Sequence, residues 1–326
     1  MILQPGRTGV PPPPDTQMVV PVPARQELLW GERVRTSLTG PLLIAAEPGG
    51  QLEGPVRLAE LLARRHRVNA HVLAVVGPMP TLTSRLVSSA TGLPGQDLDQ
   101  CRRRAARGRV RAQVNELAGP SGFLSTSAEL GEMVPTVSAA ARGRDASYVL
   151  TDIAPPRDPR RISTAAAALR LAEDAGTPVL AVPPATDDLP RSALVCTDFT
   201  DASTRAALAA APLMAARGEL TLVHVARPVG LSADSDWVSS WTEWATARLR
   251  KLAERLGAAE GLRVYLLLLR GDAESVITRS VANFDLVALG ASDPARPRLG
   301  LGAGVSAAVL RHAPGTVLIA PDPAAG

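Results

Sequence analysis

The chain has 326 residues, of which 46% are hydrophobic and only 3% aromatic, with a net charge of +4. This length suits two domains of ordinary size, and the scarcity of aromatics leaves alanine, leucine and valine to fill the cores, as in helices packed on a parallel sheet. The positive charge is almost all arginine, since Lys251 is the only lysine. No aromatic residues interleave with the arginines and the net charge per residue is small, so a nucleic-acid-binding protein is not expected. Two cysteines, Cys101 and Cys196, show neither metal spacing nor a disulfide framework. No apolar run approaches the ~20 residues of a membrane span. The N-terminus lacks the basic start and apolar core of a signal peptide. A soluble, cytoplasmic protein is expected.

Residues 1–38 form a proline-rich extension, with Pro11 to Pro14 consecutive and Pro21 and Pro23 following. Such a segment favours extended, solvated backbone and has little to bury, although Ala24 to Leu38 has a helix-like apolar side at Leu28, Leu29 and Trp30. A pattern then occurs twice. Its first copy, residues 39–185, opens with the apolar run PLLIAAE (Pro41–Glu47), followed by a helix-period stretch from Gly54 to Arg65 and a second strand, NAHVLAVV (Asn69–Val76). The middle of this copy holds CRRRAARGRVRAQV (Cys101–Val114), which reads as a solvated arginine-rich helix and the strand after it. The copy closes with ASYVLTD (Ala146–Asp152), a helix through Ala165–Asp174, and TPVLAVPP (Thr177–Pro184).

The stretch Pro183–Pro190 reads as a linker. The second copy, residues 190–323, opens with SALVCTD (Ser192–Asp198), a helix from about Ser203 to Arg217, and ELTLVHV (Glu219–Val225). Trp237, Trp241, Trp244, Leu249, Leu252 and Leu256 recur at helical spacing, which predicts a core or interface stripe rather than a stacking platform. LRVYLLLLRGD (Leu262–Asp272) reads as a buried strand, and Ala273 to Ala282 as a helix. FDLVALG (Phe284–Gly290), a helix from Val305 to His312 and GTVLIAPDP (Gly315–Pro323) complete the copy. Strand–helix–strand at this spacing implies parallel strands with right-handed crossovers. The fold class is therefore α/β: two tandem open parallel-sheet domains of Rossmann type, with helices on both faces and ligand sites expected at the carboxyl ends of the strands.

Three segments of the second copy, SALVCTDFTDAS, ELTLVHV and DLVALGASDPARPRLGLGAGVSAAVLRHAPGTVLIA, resemble the universal stress protein family, whose domain is of the adenine nucleotide alpha hydrolase-like type. Arg311, His312, Ala313 and Pro314 carry the closest match. The resemblance implies a cytosolic stress-response module and, in the ATP-binding members, an adenine contact from the aspartate that ends the first strand, here Asp198. It assigns Val225, Gly290, Gly304 and Val305 to the same nucleotide site. Those members carry G-x2-G-x9-G-(S/T) after the fourth strand. Here the first glycine is Gly290, but the second falls on Asp293, the third on Ala303, and the Ser/Thr position on Gly304. A carboxylate at Asp293 repels phosphate and a methyl at Ala303 blocks close backbone approach. Arg296 and Arg298 offer positive charge, and Gly300 and Gly302 keep the loop permissive. In the first copy Glu47 holds the Asp198 position and Thr151 stands for the first glycine, in a stretch whose Pro155, Pro156 and Pro159 stiffen it. No family-type ATP site is expected there.

Plainer roles stand beside these. Asp198 is also a candidate turn or cap residue, with Thr200, Asp201 and Ser203 as rivals. His224 and His312 read as structural, and His66 and His71 lack metal spacing. No G-x-S-x-G, Walker loop, H-E-x-x-H or C-x-x-C occurs, so no catalytic residues and no metal site are expected, although the resemblance leaves room for slow ATP hydrolysis. The expected function is that of a tandem stress protein acting through an unknown protein partner. The two copies would form an internal pseudo-dimer through TPVLAVPP and TVLIAPDP, and two chains would have the option of a homodimer. The alternatives are an ATP sensor working through the second copy and, more remotely, a soluble partner of a membrane transporter.

Overall fold

The computed structural model describes residues 38–47, 49–92, 94–119, 122–155, 158–226, 235–257, 261–291 and 303–322. The proline-rich extension, apart from Leu38, and its expected helix lie outside the described residues. Two compact units divide between Leu189 and Pro190.

In the first unit, β1 (Leu42–Ala46) leads through α1 (Glu53–His66) to β2 (Ala70–Val76). Two helices follow, α2 (Thr81–Thr91) and α3 (Gly95–Ala118), then β3 (Leu124–Leu130), α4 (Met133–Gly143), β4 (Tyr148–Asp152), α5 (Arg161–Ala175) and β5 (Val179–Val182). The strand order is β3-β2-β1-β4-β5, parallel at every pair. α1 packs with α3, and α4 with α5. Strands β1 and β5 are buried along their whole length, as befits parallel strands covered on both faces. Helix α1 buries Val56, Leu58, Ala59, Leu62 and Ala63 and ends at Arg67 in a left-handed conformation, φ 57°.

The second unit repeats this plan with β6 (Ser192–Cys196), α6 (Asp201–Ala210), β7 (Glu219–Ala226), α7 (Ser235–Gly257), β8 (Arg263–Arg270), α8 (Ala273–Ser280), β9 (Leu286–Gly290), α9 (Ala303–His312) and β10 (Thr316–Ala320). The order is β8-β7-β6-β9-β10, again parallel. Short 3₁₀ turns follow α6 at Ala211–Leu213 and α8 at Val281–Asn283. Helix α6 therefore ends well before Arg217, because Pro212 cannot continue the hydrogen-bond ladder. In both units the chain reverses its direction of sheet growth beside the first strand. The carboxyl ends of β1 and β4, and of β6 and β9, therefore meet at a topological switch point.

Three expectations need correction. Cys101–Val114 contains no strand: it lies wholly within the 24-residue α3, whose Ala106, Val110 and Val114 recur at helical spacing and are buried. The strand that follows is the polar LSTSAEL of β3, which has no apolar run to betray it. β8 is not a buried strand. It ends the strand order of its unit, and among its residues only Leu268 is buried. Finally, α7 does bury Leu249, Leu252 and Leu256, but Trp244 is 49% exposed. Trp237 lies outside the residues whose side chains are described.

One close approach fixes how α1 sits. A Cβ on Gly54 would lie 1.9 Å from the Pro183 carbonyl oxygen, a clash with backbone that no side-chain rotation relieves. Gly54→Ala is expected to lower the unfolding free energy by about 3 kcal/mol, the upper range for overpacking, as read from the shift of the urea unfolding midpoint. An unchanged midpoint would show that α1 can move away freely.

Candidate functional site

The switch point of the second unit is built by the exit from β6. Thr197 extends the strand, its N–H donating to the Val223 carbonyl at 2.8 Å. Asp198 then makes a turn: its Oδ1 accepts from the Thr200 N–H at 3.1 Å and the Thr200 hydroxyl at 2.6 Å. Thr200, not Asp198, caps α6, its Oγ1 accepting from the Ser203 N–H at 3.3 Å. Beneath it, the Thr197 and Ser203 hydroxyls meet at 3.1 Å in a buried pair. The plainer reading of Asp198 thus has a structural basis: one carboxylate oxygen organises the local turn.

Phe199, between these residues, has φ 65° and holds the left-handed conformation usually left to glycine or asparagine. Its ring lies 4.4 Å from that of His224 and meets Trp244 edge-on at 5.1 Å. Trp241 stands 5.8 Å from His224 on the other side. The Arg248 guanidinium lies 5.8 Å from the Phe199 ring centre and 5.2 Å from that of Trp244. Trp241 and Trp244 of α7 therefore form, with Phe199 and His224, a partly exposed aromatic cluster beside the β6 exit. His224 is anchored by Nδ1, 2.7 Å from the Thr197 carbonyl oxygen. Burial holds its pKa below the ordinary histidine range, against the opposing pull of that hydrogen bond and of Asp198. Val225 follows in the half-buried end of β7, in register with Leu269 and on the opposite face from His224.

Gly290 ends β9, and a Cβ there would lie 2.6 Å from Ser203 N and 2.7 Å from Ala202 C. The start of α6 therefore packs directly on this glycine. Its match to the nucleotide motif is explained by helix–sheet packing whether or not phosphate ever binds. Gly304 is the second residue of α9 and exposed, and a Cβ on it would lie 3.2 Å from Glu274 Oε2. A carboxylate from α8 thus stands beside the helix N-terminus that would receive phosphate, and nothing in the motif signalled it. Val305 is buried. Behind it, the buried Ser306 hydroxyl has no partner among the described residues. Asp293, Arg296, Arg298, Gly300 and Gly302 lie outside the described residues, as does the side chain of Ala303.

In the first unit the strand registers correct one assignment. Leu42 pairs with Tyr148 as Ala193 pairs with Leu286, and Val149 with Val179 as Val287 with Val317. Counting on, the counterpart of Gly290 is Asp152, not Thr151. Asp152 is half-buried, and burial and then the nearby Glu47 raise its pKa against hydrogen bonds that include the Gln51 N–H. Two carboxylates, one at the position of Asp198 and one at that of Gly290, are therefore near enough to interact, where the second unit holds one at these two positions.

At the amino end of the sheet, His71 is bracketed by Ser125 Oγ on Nδ1 at 2.8 Å and Ser127 Oγ on Nε2 at 2.7 Å. Burial, then Arg144 and Arg107, lower its pKa. Among the described residues no group of three or more His, Cys, Asp or Glu is placed to hold a metal, and no helix is long and apolar enough to cross a membrane. Of the cysteines, Cys101 is exposed on α3 and Cys196 is buried, which pushes its thiol pKa up.

Both His71 and His224 have folded-state pKa values below the unfolded one, so each favours the folded state fully above about pH 6.5 and ceases to do so as pH falls through its folded pKa. The thermal midpoint is expected to drop between pH 7 and pH 5, and the His71→Gln/His224→Gln variant to show a flatter profile. Equal slopes in the two proteins would assign the acid sensitivity to other groups.

Known proteins place this geometry. The sequence model of the universal stress protein family matches residues 190–321. A universal stress protein from Archaeoglobus fulgidus has the same fold over 86% of this chain and 96% of its own, with 19% identity and a TM-score of 0.53. A protein of Pseudomonas aeruginosa described as functionally unknown covers 87% of this chain and 93% of its own, with 18% identity and a TM-score of 0.52. No curated protein matches the sequence. The second half, residues 190–321, thus matches the universal stress protein family, and the first half repeats its fold.

Proposed function

We propose that this tandem protein is a non-enzymatic stress-response module that acts in the cytoplasm by protein interaction, with a nucleotide site that has lost its capacity for phosphate in both halves. The carrying observation is the placement of carboxylates where anionic oxygens would have to sit. In the second half Glu274 Oε2 stands beside Gly304 at the start of α9. In the first half Asp152 replaces the strand-end glycine and lies near Glu47. Like charges at about 4 Å repel by ~1 kcal/mol in water and by several times that near a protein surface, and a triphosphate would meet this at more than one oxygen. The internal pairing of the two halves as a pseudo-dimer, and any further homodimer, belong to the same proposal.

A second reading is supported by the β6 exit. Asp198, Val225, Gly290, Gly304 and Val305 all belong to the carboxyl-end region of one sheet, where a switch-point ligand would sit. An ATP sensor using these residues, with or without slow hydrolysis, is the rival. Titration calorimetry of the full chain with ATP and Mg²⁺ separates the two. The interaction module is expected to give no binding heat up to millimolar nucleotide and to retain none on purification. Micromolar affinity that disappears in Asp198→Ala would establish the sensor instead.

A further inference from the structure

The arginine run of α3 is a feature of the sequence that the nucleotide question leaves unused. Ala106, Val110 and Val114 seat α3 against the first unit. Arg103, Arg104, Arg107, Arg109 and Arg111 are exposed, and none has a carboxylate partner among the described residues. Only Arg102 is tied down, donating to the Gly77 carbonyl at 2.6 Å and pairing with Asp99 at 3.4 Å. No acidic residue lies between Asp99 and Glu116, and the exposed positions among and just after the arginines, Ala105, Gly108 and Ala112, are too small to cover a guanidinium.

At 3.6 residues per turn, Arg103, Arg104, Arg107 and Arg111 fall within an arc of about 100°, while Arg109 lies on the other flank. Arg103 with Arg107, and Arg107 with Arg111, are like-charge pairs at i,i+4, each of which disfavours the helix. The stripe continues beyond α3. Arg107 and Arg144 both act on the His71 ring, and Arg144 Nη2 lies 3.5 Å from its Nε2. The groups that bear on one another at this edge are His71, Arg107 and Arg144, with Ser125 and Ser127 holding the imidazole; the exposed Glu129 of β3 shares the strand face of the two serines but forms no ion pair among the described residues. A protein surface that repels itself without an internal counter-charge is arranged for an external one.

From this geometry we infer that the Arg103/Arg104/Arg107/Arg111 stripe is a docking surface for an acidic helix of a partner protein. A rise of 1.5 Å per residue puts Arg103, Arg107 and Arg111 at steps of about 6 Å. Carboxylates at i,i+4 on a facing helix have the same step, and the guanidinium fork grips each of them with two hydrogen bonds. A single-stranded nucleic acid would need aromatic platforms for its bases, and the stripe has none: of the two aromatics described in this unit, Tyr148 is buried and Phe123 half-buried. The inference deepens the interaction-module reading and rests on it, but its test is independent of nucleotide binding.

The experiment uses the full chain and a fluorescein-labelled helical peptide of alanines with glutamates at i,i+4. The controls are a peptide of the same composition with the glutamates scrambled and a short DNA duplex. At low salt the patterned peptide is expected to bind with a Kd in the tens of micromolar, at least tenfold tighter than the scrambled peptide, and to weaken as salt is raised. Arg104→Gln/Arg107→Gln/Arg111→Gln is expected to lose at least tenfold in affinity. These side chains are exposed and mutually repelling, so the triple variant should fold with an unchanged or higher thermal midpoint. Arg107→Glu, which creates opposite-charge pairs to both Arg103 and Arg111, should raise the midpoint at low salt and weaken peptide binding. Three results would each overturn the inference: no binding of the patterned peptide at submillimolar concentration, undiminished binding by the triple variant, or tighter binding of the duplex than of the peptide. Failure here with calorimetry still silent for ATP would remove the docking surface and leave the nucleotide-free reading standing.

Discussion

The contact on which the second half turns is the seating of the α6 N-terminus on Gly290. Ala202 and Ser203 come so near the end of β9 that only a hydrogen fits at that Cα. Everything at the switch point follows from it. The helix start brings Ser203 under Thr200 and against Thr197, which fixes the turn that Asp198 closes. The first half meets the same steric demand in another way. The second residue of its helix is Gly54, where α6 has Ala202, and the close approach runs from Gly54 to the Pro183 carbonyl. That approach is to the residues that follow β5, and the end of β4, the counterpart of Gly290, carries Asp152. The two halves thus make their tightest helix–sheet approach at different strand ends, and the charge at the end of the fourth strand differs between them.

This separates two meanings of a motif glycine. Gly290 would satisfy a pattern for phosphate recognition, yet its environment already accounts for it through packing alone. Gly304 is exposed and unconstrained by backbone, but the nearest atom to its missing Cβ is a carboxylate oxygen. Matched spacing at these two glycines is therefore no evidence of a ligand by itself.

The parts of the molecule that could be read from sequence were those where apolar periodicity and burial coincide. β1, β6, β9 and β10 are short apolar runs that are wholly or almost wholly buried, and their order and spacing gave both units away. Reading failed where composition and burial part company. The polar β3 is a strand by its pairing with β2, not by its residues. The apolar β8 ends the strand order of its unit and stays half-exposed along most of its length. Val110 and Val114 belong to a helix face rather than to a strand, a distinction that a stretch with two apolar residues among arginines cannot make. Within the candidate site, Asp198 and Gly290 were singled out by the family resemblance, and both stand at or just past strand ends. Glu274 was invisible because it reaches Gly304 from a different helix, and Asp152 was displaced by one residue because only strand register fixes the count.

The left-handed turn at Phe199 has a mechanical consequence. A non-glycine residue in that region costs of the order of 1–3 kcal/mol, and here the ring itself supplies compensation by lying against His224, Trp244 and Arg248. The exit of β6 and the side of α7 are thereby joined by ring contacts: the strained backbone of Phe199 is what brings its ring against His224 and edge-on to Trp244. The ring contacts that offset the strain of this turn thus come from α7 and β7, not from the turn itself.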